Sequence, residues 1–184
     1  MKPQALILQA HGTNRDYDVA EALTLAGADP HPVPLNDLRA GKKHFADYQM
    51  LVVAGGFSYA DSLGAGKLLA LDLNSYFNEE ISAFVELGKP VIGICNGFQA
   101  LVKSGILPGE KKEEGATLTF NEQGHFECRW VNLAPVSQTC IWTKDLEDTI
   151  TCPIAHGEGN FQTSELFPLS SFIANDQIAL TYIH

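Results

Sequence analysis

Apolar residues gather along this chain in short runs separated by glycine and polar turns. Ala5-Leu6-Ile7-Leu8 stops at His11-Gly12-Thr13-Asn14, after which Val19, Leu23 and Ala26 recur at helical spacing as far as Gly27. This predicts a strand, a loop and a helix with a glycine stop. Pro32 to Leu35 predicts a second strand, Leu51-Val52-Val53-Ala54 a third and Val91-Ile92-Gly93-Ile94 another, each short, β-branched and bounded by turn residues. Between the last two, Ile81, Phe84, Val85 and Leu87 form one apolar helix face, closed by Gly88 and by Pro90, which opens the next strand. Alternation of this kind predicts an α/β fold, a flavodoxin-like three-layer open sheet with a parallel core and helices on both sides. Ligands of such sheets sit at the C-terminal edge of the strands, where Gly55, Gly56 and Cys95 all fall. After residue 108 the pattern changes to Thr117-Leu118-Thr119-Phe120 and Phe126-Glu127-Cys128-Arg129-Trp130-Val131, which reads as a mixed or antiparallel extension of the same sheet.

With 184 residues and 45% apolar content the chain can bury one good core, so a single domain over 1–184 is the expectation. A net charge of −10 and the lack of a basic patch argue against nucleic acid or an anionic membrane as partner. The one lysine cluster, Lys111-Lys112, runs straight into Glu113-Glu114 and reads as a solvated loop. Cysteines at 95, 128, 140 and 152 form no C-x-x-C pair, and the histidines at 11, 31, 44, 125 and 184 have no metal-site spacing. Neither a metal nor a disulfide is expected, and a reducing cytoplasm fits best. Ala5 to Ala10 is too short for a signal peptide, and no stretch approaches the roughly 20 apolar residues of a membrane span.

Chemistry concentrates at Pro90-Val91-Ile92-Gly93-Ile94-Cys95-Asn96-Gly97-Phe98-Gln99. An apolar strand here turns at once into a helix, with Cys95 at the turn and Gly93 and Gly97 removing the side chains that would collide. This is a nucleophile elbow: the thiol is left exposed at a helix start, where unpaired N–H groups and the helix dipole favour negative charge. A thiolate attacking a carboxamide also needs donors for the oxyanion. Gly55-Gly56-Phe57 follows a strand and can turn backbone N–H groups toward the sheet edge, and the Asn96 N–H comes from the elbow itself. His11, opening the loop after the first strand, lies at the same edge, though turn chemistry explains it equally well.

Gly93-Ile94-Cys95-Asn96-Gly97-Phe98-Gln99, Gly55-Gly56-Phe57-Ser58-Tyr59, Arg129-Trp130-Val131-Asn132 and Pro153-Ile154-Ala155-His156-Gly157-Glu158-Gly159 together resemble the glutaminase subunits of phosphoribosylformylglycinamidine synthase. That family belongs to the class I, triad-type glutamine amidotransferases of purine biosynthesis. The resemblance spans essentially the whole chain. It implies that Cys95 forms a glutamyl thioester, that Gly56 and Asn96 hold the oxyanion, and that Gly55, Phe57, Gln99 and Gly157 contribute to the glutamine site. It also implies an ammonia channel into a synthetase partner that binds ATP, magnesium and formylglycinamide ribonucleotide, leaving this chain without a cofactor.

Three departures stand out. Ala60 replaces a common family glycine, and Leu63-Gly64-Ala65-Gly66 is closer to the fused, long form of the enzyme. The family's catalytic base and its carboxylate lie in a late His-Pro-Glu segment, and no His-Pro-Glu occurs among these residues. The expectation is a chain truncated before that segment; the alternative is an amidotransferase-like module that binds a partner or glutamine without turnover. His156 and Glu158 imitate the missing pair by spacing, which makes His156 a candidate base. The resemblance instead places His156 at the wall of the glutamine pocket. A different cysteine enzyme of the same architecture would set a glutamate at an earlier strand end, whereas Glu21 lies on the first predicted helix.

Overall fold

Four short strands pair side by side, and the two central ones, apolar on both faces, are buried between layers of helix. In the computed structural model, which describes residues 1–109 and 115–183, they form a parallel sheet of order β2-β1-β3-β4. The strands are β1 (Gln4–Gln9), β2 (Asp29–Pro34), β3 (Met50–Val53) and β4 (Val91–Gly93). The helices are α1 (Asp16–Leu25), the short α2 (Leu35–Arg39), α3 (Lys67–Tyr76), α4 (Asn78–Glu86) and α5 (Asn96–Lys103).

The two-residue period of the strands sorts their side chains into two cores. Leu6, Leu8, Leu51 and Val53 pack with Leu69 and Leu73 of α3, Ile81 and Phe84 of α4, and Ala100 and Leu101 of α5. Ile7, Val52 and Ala54 face the other way, against Val19 and Leu23 of α1. Leu6, Ile7, Leu51, Leu73 and Leu101 are all at 0% exposure, and each such side chain contributes about 1.5–3 kcal/mol by leaving water. The predicted three layers are therefore present in the stretch Met1–Leu107, which is one of two compact units.

The differences from expectation here are local. The second strand begins at Asp29, three residues before Pro32, because parallel pairing with Gln4–Gln9 extends it over Asp29–Pro34. Ile81 and Phe84 of α4 are buried, but Val85 and the C-cap residue Leu87 are 49% and 73% exposed, so the apolar face is narrower than the sequence pattern implies. No expectation covered α3; its Leu69, Ala70 and Leu73 do have helical spacing, within a leucine-rich run that blurs the period.

The second unit, Pro108–His184, starts where the sequence pattern changes. Its strands are antiparallel, as expected, and hydrogen-bond among themselves. Strand β5 (Ala116–Thr119) pairs with β8 (Asn160–Thr163), while β6 (Glu127–Pro135) lies between β7 (Ile150–His156) and β9 (Leu180–Ile183). The predicted extension thus takes the form of separate two- and three-stranded ladders, closed by long-range antiparallel registers such as Glu127 opposite His156. A short helix, α6 (Leu169–Ala174), completes the unit. The Lys111-Lys112-Glu113-Glu114 segment and His184 lie outside the described residues. Among the described residues no helix is long and apolar enough to cross a membrane.

One carboxylate ties this second unit together. Asp176 Oδ2 accepts from the Thr139 hydroxyl at 2.7 Å, the Ser137 hydroxyl at 3.0 Å, and the backbone N–H groups of Gln138 at 3.0 Å and Thr139 at 2.9 Å. These bonds, the Thr139 hydroxyl foremost, hold the Asp176 carboxyl below its usual range against the opposing effect of desolvation. The folded pKa lies below the unfolded one, so the stabilisation is present above the ordinary aspartate range near about 4 and is lost as pH falls through the lower folded value. Asp176→Asn does not titrate and tolerates the positive φ of 55° at this position. Urea midpoints measured from pH 6 down to pH 2 should fall less steeply for that variant than for the wild type; parallel slopes would contradict this role.

Candidate active site

The order β2-β1-β3-β4 reverses direction between β1 and β3, and loops leaving such a point diverge to open a crevice. The loops after β1, β3 and β4 carry His11–Asn14, Gly55–Phe57 and Ile94–Cys95. They meet through a Thr13–Gly56 bridge, a hydrogen bond from the Tyr59 N–H to His11 O at 2.6 Å, and another from the Ile94 N–H to Val53 O at 3.0 Å. His11, placed at this edge by the sequence, takes part here through its carbonyl; its ring lies 6.5 Å from that of Tyr59.

Cys95 occupies the junction between β4 and α5 with φ 54° and ψ −116°, a conformation rare for any residue with a side chain. Its side chain is exposed. The flanking glycines are required by close approach. A Cβ on Gly97 would overlap the Val53 carbonyl oxygen and lie 2.6 Å from the Val53 carbonyl carbon; one on Gly93 would lie 2.8 Å from Gly97 O. The start of α5 is thereby seated directly on the end of β3. Gly55 brings its backbone to the nucleophile, since a Cβ there would sit 3.1 Å from Cys95 Cβ and 3.9 Å from Sγ. Gly56 has φ 120° and is wrapped around Asn14, whose backbone nitrogen would be 2.8 Å from an added Cβ. Phe57 is 64% exposed beside these glycines in sequence. Asn96 opens α5, a position whose N–H has no acceptor inside the helix.

The sequence reading missed the groups behind the elbow. The Asn96 side chain is 2% exposed and its Oδ1 accepts from the Ser58 hydroxyl. Its Nδ2 donates to Asp61 Oδ1 at 2.6 Å and to Gln99 Oε1 at 3.4 Å. Gln99, assigned by resemblance to the glutamine site, is 8% exposed and directed at Asn96. The only sequence signal for Ser58 and Asp61 was their place just after Gly-Gly-Phe. Ala60, where the family commonly has glycine, has φ 53°, so this chain keeps the left-handed backbone without the residue that adopts it freely.

His156 ends β7 in the second unit. Nδ1 is 2.9 Å from Asn121 Oδ1, which also accepts the Gly159 N–H at 2.9 Å. Asn121 Nδ2 donates to the carbonyls of His125 at 2.8 Å and His156 at 2.9 Å. With the amide oriented by three backbone groups, its oxygen faces the ring, so Nδ1 carries the hydrogen and Nε2 is the acceptor in the neutral imidazole. The uncharged Asn121 amide orients the ring at Nδ1. Gly157 O accepts the Asn121 N–H at 2.9 Å, which makes the His-Gly-Glu-Gly turn a support for Asn121.

Comparison with known proteins agrees with this geometry. The model of the CobB/CobQ-like glutamine amidotransferase domain matches residues 2–184. A phosphoribosylformylglycinamidine synthase subunit PurQ of Treponema denticola is 57% identical over 194 residues, covering 99% of this chain and 72% of the relative. The PurQ subunit of Dehalococcoides mccartyi is 47% identical, over 86% of this chain and 62% of its own length. Among solved structures, that of PurLQS from Thermotoga maritima matches with a TM-score of 0.78 and 32% identity, covering 100% of this chain and 76% of the other. With an elbow cysteine at the C-terminal edge of a doubly wound sheet and matches of this extent, the chain belongs to the CobB/CobQ-like glutamine amidotransferase family, among the PurQ-type glutaminase subunits.

Proposed function

We propose that this chain hydrolyses glutamine at Cys95 and delivers the ammonia to a synthetase subunit that makes formylglycinamidine ribonucleotide in purine biosynthesis. The observation that carries the reading is the exposed Cys95 at φ 54°, seated on β3 by Gly97 and closely approached by Gly55. Sγ attacks the side-chain carboxamide carbon of glutamine and forms a C–S bond. The C–N bond then breaks, and the nitrogen leaves as ammonia with the proton that the thiol gave up. Water attacks the resulting thioester, releasing glutamate and restoring the thiol. The backbone N–H groups of Gly56 and Asn96 take the oxyanion in both steps, while Gly55, Phe57 and Gln99 border the glutamine. ATP and magnesium belong to the synthetase partner. The binding-only alternative is not favoured, because the relatives are matched along nearly all of this chain.

A chloroketone analogue of glutamine tests the site. Cys95 and Cys128 are both exposed, whereas Cys140 and Cys152 are half-buried, so accessibility alone predicts two labelled cysteines. An active-site nucleophile predicts faster labelling of Cys95, and protection of Cys95 but not Cys128 by glutamine. Peptide mapping that shows even labelling, or no protection, would contradict the assignment.

A further inference from the structure

The loop that follows Gly55-Gly56-Phe57 is the most strained segment of the first unit. Tyr59, Ala60, Asp61 and Leu63 have φ of 54°, 53°, 51° and 65°. Left-handed backbone costs about 1–2 kcal/mol for each such residue, and it persists only where surrounding contacts over-determine it. Those contacts are present. The Tyr59 hydroxyl donates to Asp72, which is also paired with Arg39. Burial first, and then the bond to Asp72, push the Tyr59 phenol up to about 12, so it remains a donor throughout the neutral range. Lys103 Nζ donates to Ala65 O at 2.8 Å, and the Gly66 N–H reaches Asp61 Oδ1 at 3.4 Å.

This strained loop presents two side chains to one buried amide. The carboxylate of Asp61 can only accept, so it faces Nδ2 of Asn96, and Oδ1 of Asn96 is left for the one hydroxyl proton of Ser58. The amide is thus held from opposite sides by residues 38 and 35 positions away in the chain. Asn96 directly follows Cys95, and a side chain pinned at both ends fixes the Cα from which its own N–H is directed.

We propose that Ser58 and Asp61 are positioning residues that clamp the Asn96 side chain and so aim its backbone N–H at the oxyanion formed on Cys95. The proposal rests on the reading of Cys95 as the glutaminase nucleophile. A clamp of this kind acts on the transition state and leaves the binding of glutamine nearly untouched, so it should separate kcat from KM.

The test is steady-state glutaminase kinetics on the assembled enzyme. Ser58→Ala, which removes one atom and adds none, and Asp61→Ala should each lower kcat by about 10- to 100-fold, with KM for glutamine within about threefold of wild type. Asp61→Asn keeps an acceptor oxygen facing Asn96 Nδ2 and should recover at least about a third of the wild-type kcat, since the clamp needs the acceptor and not the charge. A merely structural role would lower the melting temperature without this pattern of loss and recovery. Unchanged kcat in Ser58→Ala, an Asp61→Asn no better than Asp61→Ala, or a rise in KM alone would each overturn the proposal. A Cys95→Ala control keeps the two readings apart: activity surviving in the control overturns the nucleophile assignment, whereas activity lost there but intact in Ser58→Ala and Asp61→Ala overturns only the clamp.

Discussion

Cys95→Ala should reduce glutamine hydrolysis by about four orders of magnitude or more, to the background of the assay, because loss of a covalent nucleophile removes the whole thioester route. The folded protein should be unaffected. Alanine keeps the backbone options of cysteine, and the thiol is exposed. Melting temperature should therefore match the wild type, and the assembled enzyme should still use ammonia supplied from solution, since that reaction bypasses Cys95. Loss of the ammonia-dependent reaction in parallel would point to a damaged fold instead of a missing nucleophile.

Gly97→Ala should be the most damaging single methyl group in the first unit. The added Cβ overlaps the Val53 carbonyl oxygen, with the Val53 carbonyl carbon at 2.6 Å and Ala54 O at 2.9 Å. All three are backbone atoms of β3 and its exit, held in the centre of the parallel sheet, so no side chain can swing away to make room. Either α5 lifts from the sheet or β3 shifts, and both options open the core around Leu101 and Val53. A loss of about 4 kcal/mol or more is expected. For a chain of this size that corresponds to a fall in Tm of roughly 8–16 °C. Gly88→Ala is the matching control. Its φ of 70° makes alanine strained, but nothing lies within 4 Å of the added Cβ, so it should cost only about 1–2 kcal/mol. Gly97 itself has no left-handed φ, so equal effects at the two positions would mean that the contact with β3 is relieved at little cost, against this account.

The elbow was legible because its signal is local: an apolar run, a cysteine and two glycines within a few positions reproduce the contact of α5 with β3. The parallel sheet was legible for the same reason, since β1, β3 and β4 are short β-branched runs cut off by turns. Pairing beyond the neighbourhood was not. The registers of β6 with β7 and β9 depend on partners up to about fifty positions away, and Leu180–Ile183 looks like a strand only once Pro135 and Asn132 are beside it. The clamp on Asn96 was hidden in the same way. Ser58 and Asp61 have the composition of an ordinary turn, and the left-handed backbone that aims them cannot be inferred where Ala60 stands in place of glycine. His156 is the converse case. Spacing with Glu158 singled it out, whereas the Asn121 amide that meets its ring from 35 positions away left no signal in the sequence.

The most direct test of the central claim is to mix the enzyme with carbon-labelled glutamine, quench in acid during turnover, and map the label. The account predicts a γ-glutamyl adduct on the peptide carrying Cys95, sensitive to hydroxylamine as a thioester should be, and absent from Cys95→Ala. Turnover of glutamine with no adduct on Cys95, or with the label on Cys128, Cys140 or Cys152, would contradict it.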